Sequence, residues 1–264
     1  MRRRFFGMLG ACLVVAGCGG GSGTAVDPNE AVLQISSEGG FMPMEMALAG
    51  GPRYTLLGDG SLIYMGLQTM QFPGPLVPPY LVAQLDDNQV NAVMAMVEDM
   101  GLAEVEDETD DSAMATVADA ATDAIRLWDE NGEHRYAVYA LGIEEEPSER
   151  NAVFAELIAT FDQFTSMTDG EPYVADQVRV IAGPAFIDPS FTDTREWPLE
   201  STDLSEWQEL PVVGWRCTVI EGPVPEVFDG ATQATAWENP DGGEPLQLLV
   251  RPLLPGEDDC PPEA

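Results

Sequence analysis

The sequence predicts an α+β fold. Two ββα units form an antiparallel sheet with both helices on one face, and a smaller disulfide-tied αβ segment follows at the C-terminus. Two hairpin signals, each followed by an amphipathic helix, indicate the repeated unit. A pair of cysteines in the last fifty residues indicates the disulfide. Each helix must bury its apolar stripe against the sheet, which favours one layer of helices on one layer of strands.

The first unit opens with the apolar run 31–35 and continues into a hairpin over residues 53–66. Its predicted strands, 54–57 and 62–65, flank the turn Gly58-Asp59-Gly60, and Asp-Gly is a preferred tight turn.

A helix is predicted after the proline-rich connection 73–79. Asp86 or Asp87 can cap its start, and Gly101 ends it with Leu102 placed to pack back against the last turn. Its apolar stripe has helical spacing and consists of Val90, Val93, Met94 and Val97.

The same pattern recurs in the second unit. Predicted strands 124–128 and 134–139 flank Asn131-Gly132, a second strong hairpin signal, and Ser148 caps the helix that follows. The stripe of this helix is Phe154, Leu157, Ile158 and Phe161. The two turns lie seventy-two residues apart, so an internal duplication is one interpretation.

The pattern of predicted elements changes near residue 170. We therefore predict an α+β domain at 31–170 and a C-terminal αβ segment at 171–264. Whether the two parts share one core stays open at this stage. Elements predicted in the segment are strands at 174–181, 215–220 and 246–251, an irregular stretch at 184–211 and a short helix at 225–235.

The N-terminus has the organisation of a bacterial lipoprotein signal peptide over residues 1–17. Three arginines precede an apolar run too short to span a bilayer, and Val15-Ala16-Gly17-Cys18 fits the lipobox. Cleavage would leave Cys18 as the lipidated first residue and 18–30 as a flexible tether. A secretory signal with a free cysteine is the alternative reading. Arg2-Arg3-Arg4-Phe5-Phe6 also resembles a twin-arginine core, although the short n-region favours the general secretory route.

The charge is strongly acidic: formal net charge is −35, and no lysine occurs. Removing residues 1–17, which hold three arginines and no acid, would take the charge to −38. Such a surface repels nucleic acid and suits a basic protein, a cationic ligand or a divalent ion. Solubility in a salty medium, together with a GC-rich genome that replaces Lys with Arg, is the favoured explanation of this composition.

Cysteine usage predicts one disulfide. Cys12 leaves with the signal peptide and Cys18 carries lipid, so Cys217 and Cys260 remain as a pair in an oxidising compartment. Closing that loop would stabilise the fold by roughly 4 kcal/mol. Two free buried thiols are the alternative, and a zinc set is disfavoured because the chain has a single histidine.

No catalytic constellation or cofactor motif is present in the sequence, and no cofactor is expected. The only histidine, His134, reads as a surface or cross-strand residue. Carboxylates are too abundant for any pair to be singled out. An acidic run at 104–111 supplies weak calcium candidates, Asp107, Asp110 and Asp111, but lacks EF-hand spacing, which favours a solvated loop.

Four tryptophans fall in the C-terminal half: Trp197, Trp207, Trp215 and Trp237. They are predicted to build a core around the disulfide rather than to line a ligand groove.

Several short motifs resemble those of a group of uncharacterised exported lipoproteins found mainly in actinobacteria. They are Gly39-Gly40-Phe41, Leu57-Gly58-Asp59-Gly60, Tyr139-Ala140-Leu141-Gly142, and Arg251-Pro252-Leu253-Leu254-Pro255 ahead of Cys260. The resemblance covers nearly all of the chain after the signal peptide. It implies export and anchoring, and it implies no activity.

The sequence as a whole therefore predicts a lipid-anchored envelope protein on the outer face of the bacterial cytoplasmic membrane, with a non-enzymatic binding or structural role. The alternative is an extracytoplasmic hydrolase that uses carboxylates. A third class, the binding component of an uptake system, is disfavoured because two βαβ-rich lobes are not evident.

Overall fold

The computed structural model describes residues 27–42, 44–68, 73–143, 146–185, 193–200 and 203–261. Within these residues the protein is α+β, with two mixed β-sheets and three α-helices. The helices are α1 (Met44–Ala49), α2 (Asp87–Asp99) and α3 (Glu149–Ser166). No helix in this described part of the chain is both long and apolar enough to cross a lipid bilayer.

The first sheet has eight strands in the spatial order β5-β7-β6-β1-β2-β3-β4-β8. Their bounds are β1 (Ala31–Gly39), β2 (Tyr54–Leu57), β3 (Ser61–Met65), β4 (Tyr80–Gln84), β5 (Asp107–Asp110), β6 (Ala121–Asp129), β7 (Gly132–Tyr139) and β8 (Glu171–Pro172). Both predicted hairpins form, as β2–β3 and β6–β7. The two hairpins do not touch, because β1 lies between them and pairs with β2 and β6.

The prediction of a purely antiparallel sheet was wrong. β5 adds to the edge parallel to β7, which makes the sheet mixed. Its sequence, Asp-Glu-Thr-Asp, has no apolar residue, so nothing in the pattern distinguishes this edge strand from a solvated loop.

Helices α2 and α3 pack together on one face of the first sheet, as predicted. Asp86 caps α2 in a capping box with Gln89, and Gly101, at φ 61°, follows the C-cap residue Met100. Ser148 caps α3 by accepting from the Asn151 main chain. Strand residues alternate, so one face of each inner strand enters this helix-covered core, which includes Leu33, Ile35, Tyr54, Leu56, Val93, Ile125, Leu127, Phe154, Leu157 and Phe161.

The second sheet has six strands in the order β10-β13-β14-β9-β12-β11. Its strands are β9 (Gln177–Pro184), β10 (Asp193–Arg195), β11 (Gln208–Glu209), β12 (Arg216–Glu221), β13 (Thr235–Trp237) and β14 (Leu246–Pro252). The three strands predicted here are confirmed within a few residues as β9, β12 and β14.

The helix predicted at 225–235 was wrong. Only the single 3₁₀ turn Glu226–Phe228 forms, and Gly230 at φ 66° takes the chain out of helical geometry. The C-terminal part is therefore a sheet with short 3₁₀ turns rather than an αβ unit within the described residues.

The two parts of the chain contact each other in several places. The Leu76 N–H donates to the Ala231 carbonyl at 3.0 Å, and the Tyr173 N–H donates to the Tyr80 carbonyl at 2.9 Å. Leu254, just after β14, is buried with Ile63 and Tyr80 against the helix-free face of the first sheet. The segment after β14 thus lies against this face. The boundary near residue 170 stays a prediction.

The predicted tether 18–30 overlaps the described residues only at its end. There the Pro28 and Glu30 carbonyls accept hydrogen bonds from Asp59 and Gly58 in the first hairpin turn. Residues 1–17 and Cys18 lie outside the described residues.

Candidate functional site: a charged cleft between the two sheets

A cavity of about 280 Å³ lies on the helix-free face of the first sheet, between that face, the region around α1 and the C-terminal segment. Both sheets contribute to its walls. Charged side chains from both sheets and from the C-terminal segment line it: Glu38, Arg126, Arg179, Arg251, Glu257 and Asp258. Small or apolar residues complete the walls, among them Ala47, Leu48, Gly50, Gly51, Pro52 and Pro261.

A buried ion pair forms one wall of this cleft. Arg251, at the end of β14, donates from Nη1 and Nη2 to the two Glu257 carboxylate oxygens at 2.7 and 2.6 Å. Its side chain is 3% exposed and that of Glu257 9%. Burial opposes the charge on Arg251, but the hydrogen bonds and charge of Glu257 outweigh it and raise the pKa of Arg251. Arg251 therefore keeps its positive charge inside the protein.

Arg179 lies directly beside Arg251, because the two residues are register partners in the β9–β14 pair. Its Nε donates to the Asp259 carbonyl at 2.9 Å and its Nη2 donates to the Asp258 carbonyl. Glu257 Oε1 lies 3.9 Å from Nη2. Nη1 has no hydrogen-bond partner among the described residues, although the side chain is only 7% exposed. Burial, and then the positive charge of Arg251, lower the pKa of Arg179 to about 10.

A glycine lets the chain pass close to this ion pair. A Cβ atom on Gly51 would lie 2.6 Å from the Tyr80 hydroxyl and 3.0 Å from Arg251 Nη1. Burial raises the pKa of Tyr80 to about 12, so its hydroxyl stays protonated beside the guanidinium. Any side chain at position 51 would displace these groups, which makes Gly51 part of the wall.

The first sheet contributes the opposite wall. Gln34 is buried and donates from Nε2 to Thr55 Oγ1 at 3.2 Å and to the Pro255 carbonyl at 3.3 Å. Its register partner Arg126 lies 3.5 Å from Glu133 through Nε. This Nε is buried without a hydrogen-bond partner, while the side chain as a whole is 29% exposed.

The predicted disulfide is confirmed and closes the C-terminal end of the cleft. Cys217 on β12 is bonded to Cys260, with Cα atoms 5.9 Å apart. The bond lies in a small core with Ile181, Trp215 and Leu249. It holds the segment whose carbonyls accept from Arg179, so the disulfide and Arg179 fix the same stretch of chain.

The calcium candidates lie elsewhere, on and beside β5. Asp107 accepts from Arg135 at 3.1 Å, and Asp110 accepts from Asn151 at 2.9 Å. Hydrogen bonds from Ser112 and Asn151 lower the pKa of Asp110. Asp111 precedes a 3₁₀ turn and makes no side-chain cap there. The described residues contain no group of three or more side chains suited to hold a metal ion, so the calcium alternative stays a prediction without a geometric counterpart.

The single histidine is cross-strand, as predicted, but it is buried rather than at the surface. His134 is 8% exposed and is the register partner of Leu127. Its Nδ1 lies 2.5 Å from the Val105 carbonyl and its Nε2 lies 3.1 Å from Asp129 Oδ1. An acceptor at each ring nitrogen favours the imidazolium, and these two contacts raise the pKa of His134. The residue therefore ties β7 to the chain before β5.

This geometry predicts a pH-dependent stability. Because the pKa of His134 in the folded protein lies above its ordinary value of 6.5, its contribution is fully present below pH 6.5. We expect the free energy of unfolding to fall as pH rises from 6.5 through the raised pKa. Denaturant unfolding at several pH values across this range measures the free energy of unfolding. In His134→Gln this free energy should no longer fall with rising pH. NMR titration of the lone imidazole giving a pKa at or below 6.5 would contradict it.

Three of the four C-terminal tryptophans are core residues, as predicted. Trp215 packs beside the disulfide, whereas Trp207 and Trp237 lie in a second cluster on the other face of the six-stranded sheet. A Cβ atom on Gly183 would lie 2.1 Å from the Trp215 ring, so the glycine makes room for the indole. Trp197 is half-buried and packs against Trp207 at a centroid distance of 5.9 Å. The prediction that all four surround the disulfide was wrong, because the sheet separates them.

The cleft residues were not singled out by sequence reasoning. Arg179 and Arg251 each interrupt a strongly apolar strand, within Val-Arg-Val-Ile and Leu-Val-Arg. A charge in such a run is a usable signal, since a buried charge is retained only with a partner. Glu257 had no comparable signal among the many acids of the tail.

The arrangement places arginine N–H groups along the wall of a small cleft, which is the chemistry of anion recognition. In comparisons with known proteins, no family model, no curated protein and no solved structure matches this chain.

Proposed function

We propose that this protein is a lipid-anchored envelope protein that binds a small ligand in the cleft and releases it unchanged. The observation that carries the proposal is the cavity itself, a cleft open to solvent that both sheets line and whose wall includes the buried Arg251–Glu257 pair. Small-molecule sites are concave and largely preformed, with a few placed polar groups. A cleft whose walls are already fixed loses little conformational freedom on binding, which favours affinity.

Three independent ties support preformed walls. The Arg251–Glu257 pair, the Cys217–Cys260 bond and the hydrogen bonds from Arg179 all hold the segment after β14 in place. Gln208 adds a fourth, donating to the Pro261 carbonyl at 2.9 Å.

A binding role is favoured over the carboxylate hydrolase by the state of Glu257. Both of its oxygens accept from Arg251, and Oε2 also accepts from the Leu254 N–H at 2.9 Å. A general acid or base must exchange a proton with the substrate. A carboxylate bound on both oxygens by a guanidinium is instead stabilised as an ion.

Cleft binding is tested by NMR on the exported full-length protein with a library of anionic, neutral and cationic compounds. We expect at least one compound to shift the Gly50 and Gly51 amides, which line the cavity, while the Gly132 and Gly230 amides, which do not, stay unchanged. Mass spectrometry should recover that compound intact. A library without such a compound, or recovery of a hydrolysed product, would overturn the proposal.

Anchoring is proposed through Cys18 after removal of residues 1–17. The disulfide supports an oxidising, extracytoplasmic location, because such bonds are rare in the cytosol. Membrane attachment on the outer face follows from two acyl chains on one cysteine. The acidic surface leaves a basic protein or a divalent ion as further proposed partners and disfavours nucleic acid.

Intact-mass analysis of the membrane fraction is expected to show a chain that begins at Cys18 and carries diacylglycerol. Cys18→Ser should leave the protein unlipidated, and Cys12→Ser serves as the matched control because Cys12 lies within the removed segment. A water-soluble wild-type product that starts at another residue would contradict the lipoprotein proposal.

A further inference from the structure

We propose that the ligand of the cleft carries a single carboxylate, and that Nη1 of Arg179 binds it. This inference rests on the proposed cleft-binding function and names the chemical class of its ligand.

The buried arginines beside the cavity outnumber the carboxylates that bind them through hydrogen bonds. Arg179 and Arg251 are both buried, and among the described residues Glu257 is the carboxylate with a largely buried side chain that lies within 4 Å of both. Glu257 uses both oxygens on Arg251, whereas its nearest approach to Arg179 is 3.9 Å. Main-chain carbonyls bind Arg179 but carry no formal charge. Glu257 and Asp258 attract the Arg179 cation electrostatically, but neither carboxylate is hydrogen-bonded to it, so this buried guanidinium has no hydrogen-bonded counter-ion.

One nitrogen of the Arg179 guanidinium makes no hydrogen bond to the described residues. Nε and Nη2 are occupied by the carbonyls of Asp259 and Asp258, and Nη1 has no partner among the described residues. The side chain lines the cavity. An acceptor inside the cavity would complete its hydrogen bonds and supply the missing negative charge at once, giving a charge-assisted bond.

The acidic residues that line the cavity favour an anion with a single negative charge. Glu38, Glu257 and Asp258 also line the cavity, and the chain carries a formal charge of −35. A phosphate dianion or a dicarboxylate would meet repulsion from these groups. A single carboxylate on a neutral body can pair with Arg179 while bringing the least negative charge near these acids. Ala47, Leu48 and Pro52 offer that body an apolar wall.

The test compares propanoate with propanamide, which has nearly the same shape and no charge, in titrations of the exported full-length protein followed at Gly50 and Gly51. We expect propanoate to bind at least tenfold more tightly, and Arg179→Gln to remove the difference. Arg195→Gln is the matched control, because Arg195 also donates to two main-chain carbonyls but lies outside the cavity. It should leave the preference unchanged.

The comparison of the two ligands needs only the wild-type protein, so it decides the matter even if Arg179→Gln does not fold. Equal binding of propanoate and propanamide, or tighter binding of inorganic phosphate, overturns the carboxylate inference. Binding of neutral or cationic library compounds alone would overturn it while leaving the cleft as a binding site. A failure of every compound to shift Gly50 and Gly51 overturns the proposed function as well.

Discussion

Glu257→Gln is expected to reduce the free energy of unfolding by about 3–5 kcal/mol, the usual cost of removing one partner from a buried ion pair. The substitution keeps the size of the side chain and removes its charge. Arg251 and Arg179 would then be buried as neighbours with no anion between them. Equilibrium denaturation of the variant and the wild type at the same pH and salt concentration measures the effect.

Glu209→Gln is the matched control. Glu209 pairs with Arg216 at 2.8 Å, a distance similar to that in the buried pair, but its side chain is 76% exposed. Exposed pairs contribute about 0–1 kcal/mol. The double variant Arg251→Gln/Glu257→Gln should recover part of the stability lost in Glu257→Gln, because it buries one unpaired guanidinium, that of Arg179, instead of two. An equal loss for Glu257→Gln and Glu209→Gln would contradict the buried-pair interpretation.

Removing the disulfide is expected to cost roughly 4 kcal/mol, as loop-closure entropy predicts for a loop of forty-three residues. The double variant Cys217→Ala/Cys260→Ala isolates the bond from any effect of a single free thiol. Both cysteines are buried, at 1% and 9% exposure, so a small additional loss of packing is expected. Thermal and denaturant unfolding of the variant measure the change.

The loss should be local as well as global. Amide hydrogen exchange is expected to rise at residues 257–260 more than in the helix-covered core, because the bond and Arg179 hold the same segment. Reduced wild-type protein serves as a second measurement on the unchanged sequence. An unfolding midpoint that reductant does not move would contradict a stabilising role for the bond.

The predictable part of the fold was encoded locally. Asp59-Gly60 and Asn131-Gly132 mark tight turns, and their flanking strands pair as the turns require. Asp86 and Ser148 cap their helices through hydrogen bonds to residues only two or three positions away. The disulfide followed from counting cysteines, since only two were left to pair.

The unpredicted part depends on contacts between distant residues. The Asp-Glu-Thr-Asp segment forms strand β5 because its main chain pairs with the edge strand β7. In the same way, β4 forms by pairing with β3. The cleft needs Arg179, Arg251 and Glu257 from three separate stretches of chain. Their charges are understandable only as a group, and no local pattern forms that group.

The position of β1 in the middle of the first sheet has a consequence for the order in which the protein can assemble. β1 is the first strand of the described residues, yet its longest pairing is with β6, where Leu33 meets Leu127 about ninety residues later. The edge of β1 that pairs with β6 stays unpaired until the residues of β6 are available to fold. Pairings of such long sequence separation slow folding. Until β6 has joined the sheet, the apolar residues of β1 lie along an unpaired strand edge, and such edges favour aggregation.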